Sequence, residues 1–170
     1  MRTISALFAC LALSACGLSP MYAGGGSSAV AQGIAAVDVP AIQGRGGWLV
    51  KNALDARLGV ARNGASQVTP QYRLDVRLDD SLEALGVLND DTISRERRIL
   101  RARYQLVELA TGSVLLDATA GSDAGIDVVS SEYATIAAEQ KALENLAVDI
   151  ADRMATQIAV TLRNRAAAGQ

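Results

Sequence analysis

Eight consecutive residues, Tyr72-Arg73-Leu74-Asp75-Val76-Arg77-Leu78-Asp79, alternate apolar and charged without a break. Successive side chains of a strand leave opposite faces of a sheet, so this stretch carries one face suited to a core and one suited to water. An all-parallel sheet covered by helices on both sides does not read this way. The chain must therefore build a sheet with one covered face and one open face. The alternation loosens through Leu82 to Leu88, and Asn89-Asp90-Asp91 reads as a turn. Arg95 to Leu109 reads as a second long strand, with Leu100, Ala102, Tyr104 and Leu106 on one face and Arg101, Arg103 and Gln105 on the other. Thr111-Gly112 is a hairpin turn, Ser113 to Ala120 the third strand of a meander, and Gly121 to Ser130 a loop.

Two helical periods flank this meander. Val50, Ala53, Leu54 and Leu58 repeat at one face of a helix that Gly59 or Asn63-Gly64 ends. Leu143, Leu146, Ile150, Met154, Ile158 and Leu162 step by three and four over about five turns, an apolar stripe that must lie on the sheet. Ser130 or Ser131 caps this long helix, with Glu132 in its first turn, and residues 166–170 fray. Ile34 to Val39 reads as a short first strand stopped at Pro40, and Gly44 to Gly47 as a loop. The expected fold is α+β in the order β-α-β-β-β-α: a two-layer sandwich, its four-stranded, mostly antiparallel sheet carrying two helices on one face. At 170 residues it is a single domain. With 31 alanines against one Trp and one Phe, its core is thin.

The residue inventory removes most chemistry. The chain has no His, so Ser-His-Asp and Cys-His catalysis, His-based zinc sites and a His proton shuttle are excluded. Its two cysteines, Cys10 and Cys16, both precede residue 17, which excludes a disulfide framework, a four-cysteine zinc site and a CxxC redox pair. Asp79-Asp80 and Asn89-Asp90-Asp91 stand at expected strand ends or turns, where Asp is favoured for backbone reasons, and lack Ca²⁺-loop spacing. No Gly-x-Ser-x-Gly elbow is present, and Gly44-x-Gly46-Gly47 lacks dinucleotide or P-loop spacing. No enzyme, cofactor or metal site is expected, and a net charge of −2 gives nucleic-acid binding no support.

The N-terminus supplies an address. Arg2 is followed by a near-continuous apolar run from Ile4 to Leu13, about half the roughly 20 residues a spanning helix needs, as in a secretory signal. Leu13-Ser14-Ala15-Cys16-Gly17 then resembles the bacterial lipobox. A thiol at Cys16 takes the diacylglycerol, and small residues before it fit the signal peptidase that leaves Cys16 as an acylated first residue. Three acyl chains on one Cys anchor firmly where a single chain does not. Gly17 in place of Asp points to the outer membrane rather than retention at the inner one. The expected organisation is a signal peptide at 1–15, a lipidated N-terminus and Gly/Ser-rich tether at 16–32, one domain at 33–165 and a frayed tail at 166–170.

Arg95, Arg97, Arg98, Arg101 and Arg103 fall within nine residues of a chain that is otherwise acidic. Arg95, Arg97, Arg101 and Arg103 share parity and line one face of the second long strand. This is either the wet face of a strand, a contact for an acidic partner, or an anion site, since guanidinium forks match phosphate. In the periplasm, the phosphorylated lipid at hand is lipopolysaccharide.

With the layout in view, Cys16-Gly17-Leu18-Ser19-Pro20-Met21-Tyr22 resembles the Cys-Gly-Phe-x-Pro-Leu-Tyr start of the LptE lipopolysaccharide-assembly lipoproteins. Ser131, Tyr133, Ala134, Ala138, Glu139 and Ala142, followed by Leu146, Ile150, Arg153 and Ile158, are similar to that family's long-helix pattern. Leu18 stands where the family has an aromatic. The resemblance implies a non-enzymatic plug inside the outer-membrane barrel LptD, assisting its assembly and binding lipopolysaccharide on its way to the outer leaflet. The alternative is an accessory lipoprotein of an ABC lipid-transport system or an activator of a cell-wall synthase. A tether of only about sixteen residues disfavours an activator that must cross the peptidoglycan.

Overall fold

The computed structural model describes residues 29–59, 69–87 and 93–168. Helix α1 (Ala29–Ala35) leads into β1 (Val37–Asp38), then α2 (Gly44–Leu58), β2 (Tyr72–Val87), β3 (Ile93–Glu108), β4 (Val114–Asp127) and α3 (Glu132–Ala168). The sheet order is β1-β2-β3-β4. β1 pairs parallel with β2, while β2–β3 and β3–β4 are antiparallel. The fold is the expected α+β arrangement, a mostly antiparallel four-stranded sheet with helices.

The alternation of β2 and β3 sets the core. Leu74, Leu100, Ala102, Tyr104 and Leu106 are buried on the even-numbered face, with Val76 and Leu78 packed beside them. Against that face α3 lays Leu143, Leu146, Ile150, Met154, Ile158 and Leu162, the stripe anticipated from spacing. At 37 residues α3 is about 55 Å long, and small Ala147, Ala151 and Ala159 let it approach closely. α2 packs Val50, Leu54 and Leu58 into the same core, and Arg57 forks onto Asp152 of α3. Gly59 ends α2 in the left-handed conformation, φ 77°, its N–H donating to the Asp55 carbonyl. α2 packs chiefly on α3, and α3 in turn packs on β4 and β3.

Three expectations need correction. Ile34 is not in a strand: alanine-rich Ala29–Ala35 forms α1, whose Gly33 rests 3.6 Å from Leu162 Cδ1 of α3 at the point a Cβ would occupy, and β1 is only Val37–Asp38. Gly44 to Gly47 is the first turn of α2 rather than a loop; Gly47 is required there because a Cβ would stand 2.5 Å from the Ile42 carbonyl oxygen. β2 continues past Leu82 to Val87, and β4 runs through Gly121 and Gly125 to Asp127, where a loop was expected. α3 is helical to Ala168. The turns expected at Asn63-Gly64 and Asn89-Asp90-Asp91 lie outside the described residues.

Candidate functional site

β3 carries the arginine row. Arg95, Arg97, Arg101 and Arg103 leave the sheet on the face opposite the helices, as their shared parity requires. Register decides what each one meets. Arg95 stands opposite Asp127, Arg97 opposite Glu83, Arg101 between Asp79 and Gly121, and Arg103 between Arg77 and Thr119.

Three of the four are neutralised by the flanking strands. Arg95 Nε lies 3.2 Å from Asp127 Oδ1, and Arg97 Nη2 lies 2.9 Å from Glu83 Oε2. Arg103 Nη2 donates to Asp117 Oδ2 at 3.2 Å, and Gln105 Nε2 donates to the same oxygen at 2.8 Å. The hydrogen bonds they donate to Glu83 and Asp117 hold the Arg97 and Arg103 guanidiniums above their ordinary range. Asp117 is pushed below the ordinary carboxylate range by the bonds from Arg103 and then Gln105. These pairs are exposed, so each contributes little to stability. Their effect is to fix side-chain positions and cancel most of the charge in the row.

Arg101 differs. It makes no ion pair with any described residue, and its stem lies along β4 over Gly121, whose missing Cβ would stand 3.5 Å from Arg101 Cγ. Arg77 of β2 is likewise unpaired among the described residues and sits directly across from Arg103. A groove of about 520 Å³ opens here, bordered by Arg77, Asp79, Arg101, Arg103 and Thr119 and lined also by Leu78, Ala102, Ala120 and Gly121. Three guanidiniums with two carboxylates, Asp79 and Asp117, leave this part of the face net positive. Arg77 was missed from sequence: it lies in the charged row of β2, but only the β2–β3 register brings it beside Arg103.

Arg98 belongs to the other face. Its Nε and Nη2 donate to Asp80 Oδ1 and Oδ2 at 2.9 and 2.7 Å, and its Nη1 reaches the Glu139 carbonyl of α3 at 3.2 Å. Asp79 and Asp80 therefore point to opposite faces and cannot act as an acid pair. Among the described residues, no cluster of three or more metal-ligating side chains is present. Leu13, Ser14, Ala15 and Cys16 of the lipobox lie outside the described residues.

The family model described as lipopolysaccharide-assembly, LptE, matches residues 34–158, from the end of α1 to the core stripe of α3. The chain belongs to the LptE family. Solved structures share its fold. A lipoprotein from Caulobacter crescentus CB15 superposes with a TM-score of 0.65 at 23% identity, covering 81% of this chain and 98% of that one. The rare lipoprotein B from Shewanella oneidensis gives 0.56 at 10% identity, covering 75% and 95%. A minor lipoprotein from Acinetobacter baumannii gives 0.53 at 17%, covering 73% and 88%. No curated protein matches the chain. The LptE match spans β1 to β4 and most of α3, so the open arginine face lies wholly within the family region.

Proposed function

We propose that this LptE-family chain is a non-enzymatic outer-membrane lipoprotein. Acylated at Cys16, it seats in the LptD barrel and binds lipopolysaccharide for delivery to the outer leaflet. The observation that carries the reading is the LptE family match over residues 34–158. It favours this role over an ABC-transport accessory protein or a synthase activator. The groove between Arg77, Arg101 and Arg103 suits a phosphorylated ligand, because the guanidiniums of Arg77 and Arg101, unpaired among the described residues, border it beside Gly121 and can approach phosphate oxygens together. Arg95 and Arg97 would then act less as contacts than as fixed, neutralised borders of that face.

The test is capture of the tagged full-length protein from detergent-solubilised outer membrane. A large β-barrel partner recovered in stoichiometric amount, with lipopolysaccharide, supports the role. Recovery of an ATP-driven transporter or a cell-wall synthase instead overturns it. Cys16→Ser should leave the chain unprocessed or free in the periplasm, and labelled palmitate still entering that variant would remove the proposed anchor.

A further inference from the structure

Pro40 leaves a second hollow beside the arginine groove. Tyr72 donates its N–H to the Ala36 carbonyl, so the even-numbered backbone groups of β2 face outward, toward β1. At that register the next donor to β2 is the N–H of residue 40, and proline has none. Pairing stops at Asp38 and Arg73. Pro40, Ala41 and Ile42 run on beside Leu74 to Arg77 without a backbone bond to them, and a cavity of about 580 Å³ opens there, reaching Arg103 and Gln105 of β3. The outward C=O of Leu74, and the outward N–H and C=O of Val76, have no partner among the described residues.

Side chains of the open face complete the lining. Asp75 accepts from Arg73 at 2.9 Å, yet its side chain remains 44% exposed. Gln105 spends its Nε2 on Asp117, which leaves its carbonyl oxygen free to accept. The hollow is therefore rich in acceptors: two backbone carbonyls, the Asp75 carboxylate and the Gln105 oxygen, against donors from Val76 and Arg77. A bare anion finds few partners in such a set. Hydroxyl groups, which donate and accept at once, match it.

The hollow and the arginine groove meet at Arg77 and Arg103, which line both. These two arginines stand directly opposite one another on β2 and β3, and like charges in that position are destabilising. Asp117 answers Arg103, while Arg77 has no counter-ion among the described residues. From the level of Leu78 in the groove to that of Asp75 and Val76 in the hollow is two to three residues, about 7–10 Å along the strand. One sugar ring and its phosphate ester cover that span.

We propose that the hollow between Pro40–Ile42 and β2 is a sugar subsite, so that the open face takes a phosphorylated saccharide. Ring hydroxyls meet Asp75, Gln105 and the Val76 backbone, and the phosphate lies on Arg77 and Arg101. This rests on the phosphate reading of the groove, and it adds on which side of the phosphate the saccharide lies.

Equilibrium binding to the full-length lipoprotein in detergent tests it with water-soluble probes. These are inorganic phosphate, the deacylated lipid A disaccharide with and without its phosphates, and the deacylated oligosaccharide that also carries core sugars. The parent should bind a phosphorylated saccharide at least tenfold more tightly than inorganic phosphate. A gain already full with the disaccharide places the lipid A backbone in the hollow, and a gain seen only with the longer oligosaccharide places a core sugar there; either supports the subsite. Gln105→Met should lose at least fivefold for the saccharide and nothing for inorganic phosphate, with circular dichroism checking the fold. Arg101→Gln should weaken every phosphorylated probe. A parent that binds phosphate and phosphorylated saccharides alike, while Arg101→Gln weakens both, overturns the sugar subsite and leaves the phosphate groove standing. Probes indifferent to Arg101 remove the groove and this proposal together. As a second readout, a photoreactive side chain at Ala41 should capture the phosphorylated saccharide. Capture of a polypeptide strand in its place, with no gain from the sugar, overturns the proposal.

Discussion

Arg98 and Asp80 form a two-pronged ion pair on the helix side of the sheet, at 2.9 and 2.7 Å, and the remaining Arg98 nitrogen bonds the Glu139 carbonyl of α3. One side chain thereby ties β2, β3 and the long helix together near the rim of the core, with only 18% of its surface exposed. The bonds it donates to Asp80 hold the guanidinium above its ordinary range despite the opposing effect of burial. Replacing Arg98 with Met keeps the apolar stem but leaves the Asp80 carboxylate without its partner. Hydrogen bonds between charged groups are worth about 1.5–3 kcal/mol when water is largely excluded, so a loss of about 2 kcal/mol is expected. For a chain of this size, thermal unfolding should fall by about 4–8 °C. Arg95→Met, at an exposed pair, should move the transition far less. Equal shifts for the two variants would show that Arg98 is not a tie.

Gly47 makes the closest approach of the described glycines. A Cβ there would stand 2.5 Å from the Ile42 carbonyl oxygen and 2.6 Å from its carbon, a backbone obstacle that cannot rotate away. Gly47→Ala should therefore destabilise by about 1–3 kcal/mol, although alanine is the better helix former. Gly46→Ala, whose Cβ would meet side-chain atoms only, at ordinary contact distance (Leu143 Cδ1 at 3.6 Å, Leu100 Cδ1 at 3.9 Å and Asp80 Oδ2 at 4.0 Å), should be neutral or stabilising. Urea unfolding of the pair gives the comparison, and a Gly47→Ala protein as stable as Gly46→Ala would refute the close approach.

The sequence was readable where one physical demand acted alone. In β2 and β3, burial on one face dictates alternation, and in α3 it dictates the stripe from Leu143 to Leu162; both stand where spacing put them. It misled where residues serve a neighbour. Gly121 and Gly125 look like loop residues, yet they are strand positions lying under Arg101 and Arg95 of β3, and that packing appears only once the strands are in register. Gly44 to Gly47 looks like a loop because Gly44 takes a left-handed φ of 79° and Gly46 and Gly47 answer to Leu143 and Ile42 rather than to helix propensity. The arginine row followed from parity, but its neutralisation did not. Glu83, Asp117 and Asp127 lie 14–32 residues from their partners along the chain, and only the ladder brings them together.

The pH response should be unusual for its flatness. The chain has no His, so no side chain with an ordinary pKa between 5 and 8 is present apart from any group the fold displaces. The one carboxylate with a resolved displacement among the described residues, Asp117, is lowered by Arg103 and Gln105. A lowered carboxylate contributes stability that is present above its unfolded pKa and is lost as pH falls through the folded value. Its contribution is thus complete throughout the neutral range and disappears only in acid below the ordinary carboxylate range. Unfolding free energy measured by urea should be level from pH 5.5 to 8 and decline below about pH 4. Asp117→Asn should remove part of the acid decline. A stability midpoint near pH 6.5 would contradict this account.

The last prediction separates a ligand groove from a merely solvated face. If Arg77 and Arg101 are held for an anion, neutralising both leaves the fold intact, because neither has a partner among the described residues to strand. Arg77→Gln with Arg101→Gln should keep the parent circular dichroism and thermal midpoint, yet reduce lipopolysaccharide binding by roughly tenfold or more, since each charge-assisted bond to phosphate is among the stronger polar contacts. Arg95→Gln with Arg97→Gln removes the same charge from arginines already committed to Asp127 and Glu83, and should reduce binding far less. Parent binding should weaken as salt rises, over the range in which the screening length shrinks from about 10 Å toward 3 Å. Dephosphorylated lipopolysaccharide should bind the parent no better than the Arg77/Arg101 variant. If both double variants bind alike, or the phosphates make no difference, the row is only the wet side of a strand and the ligand engages another part of the molecule.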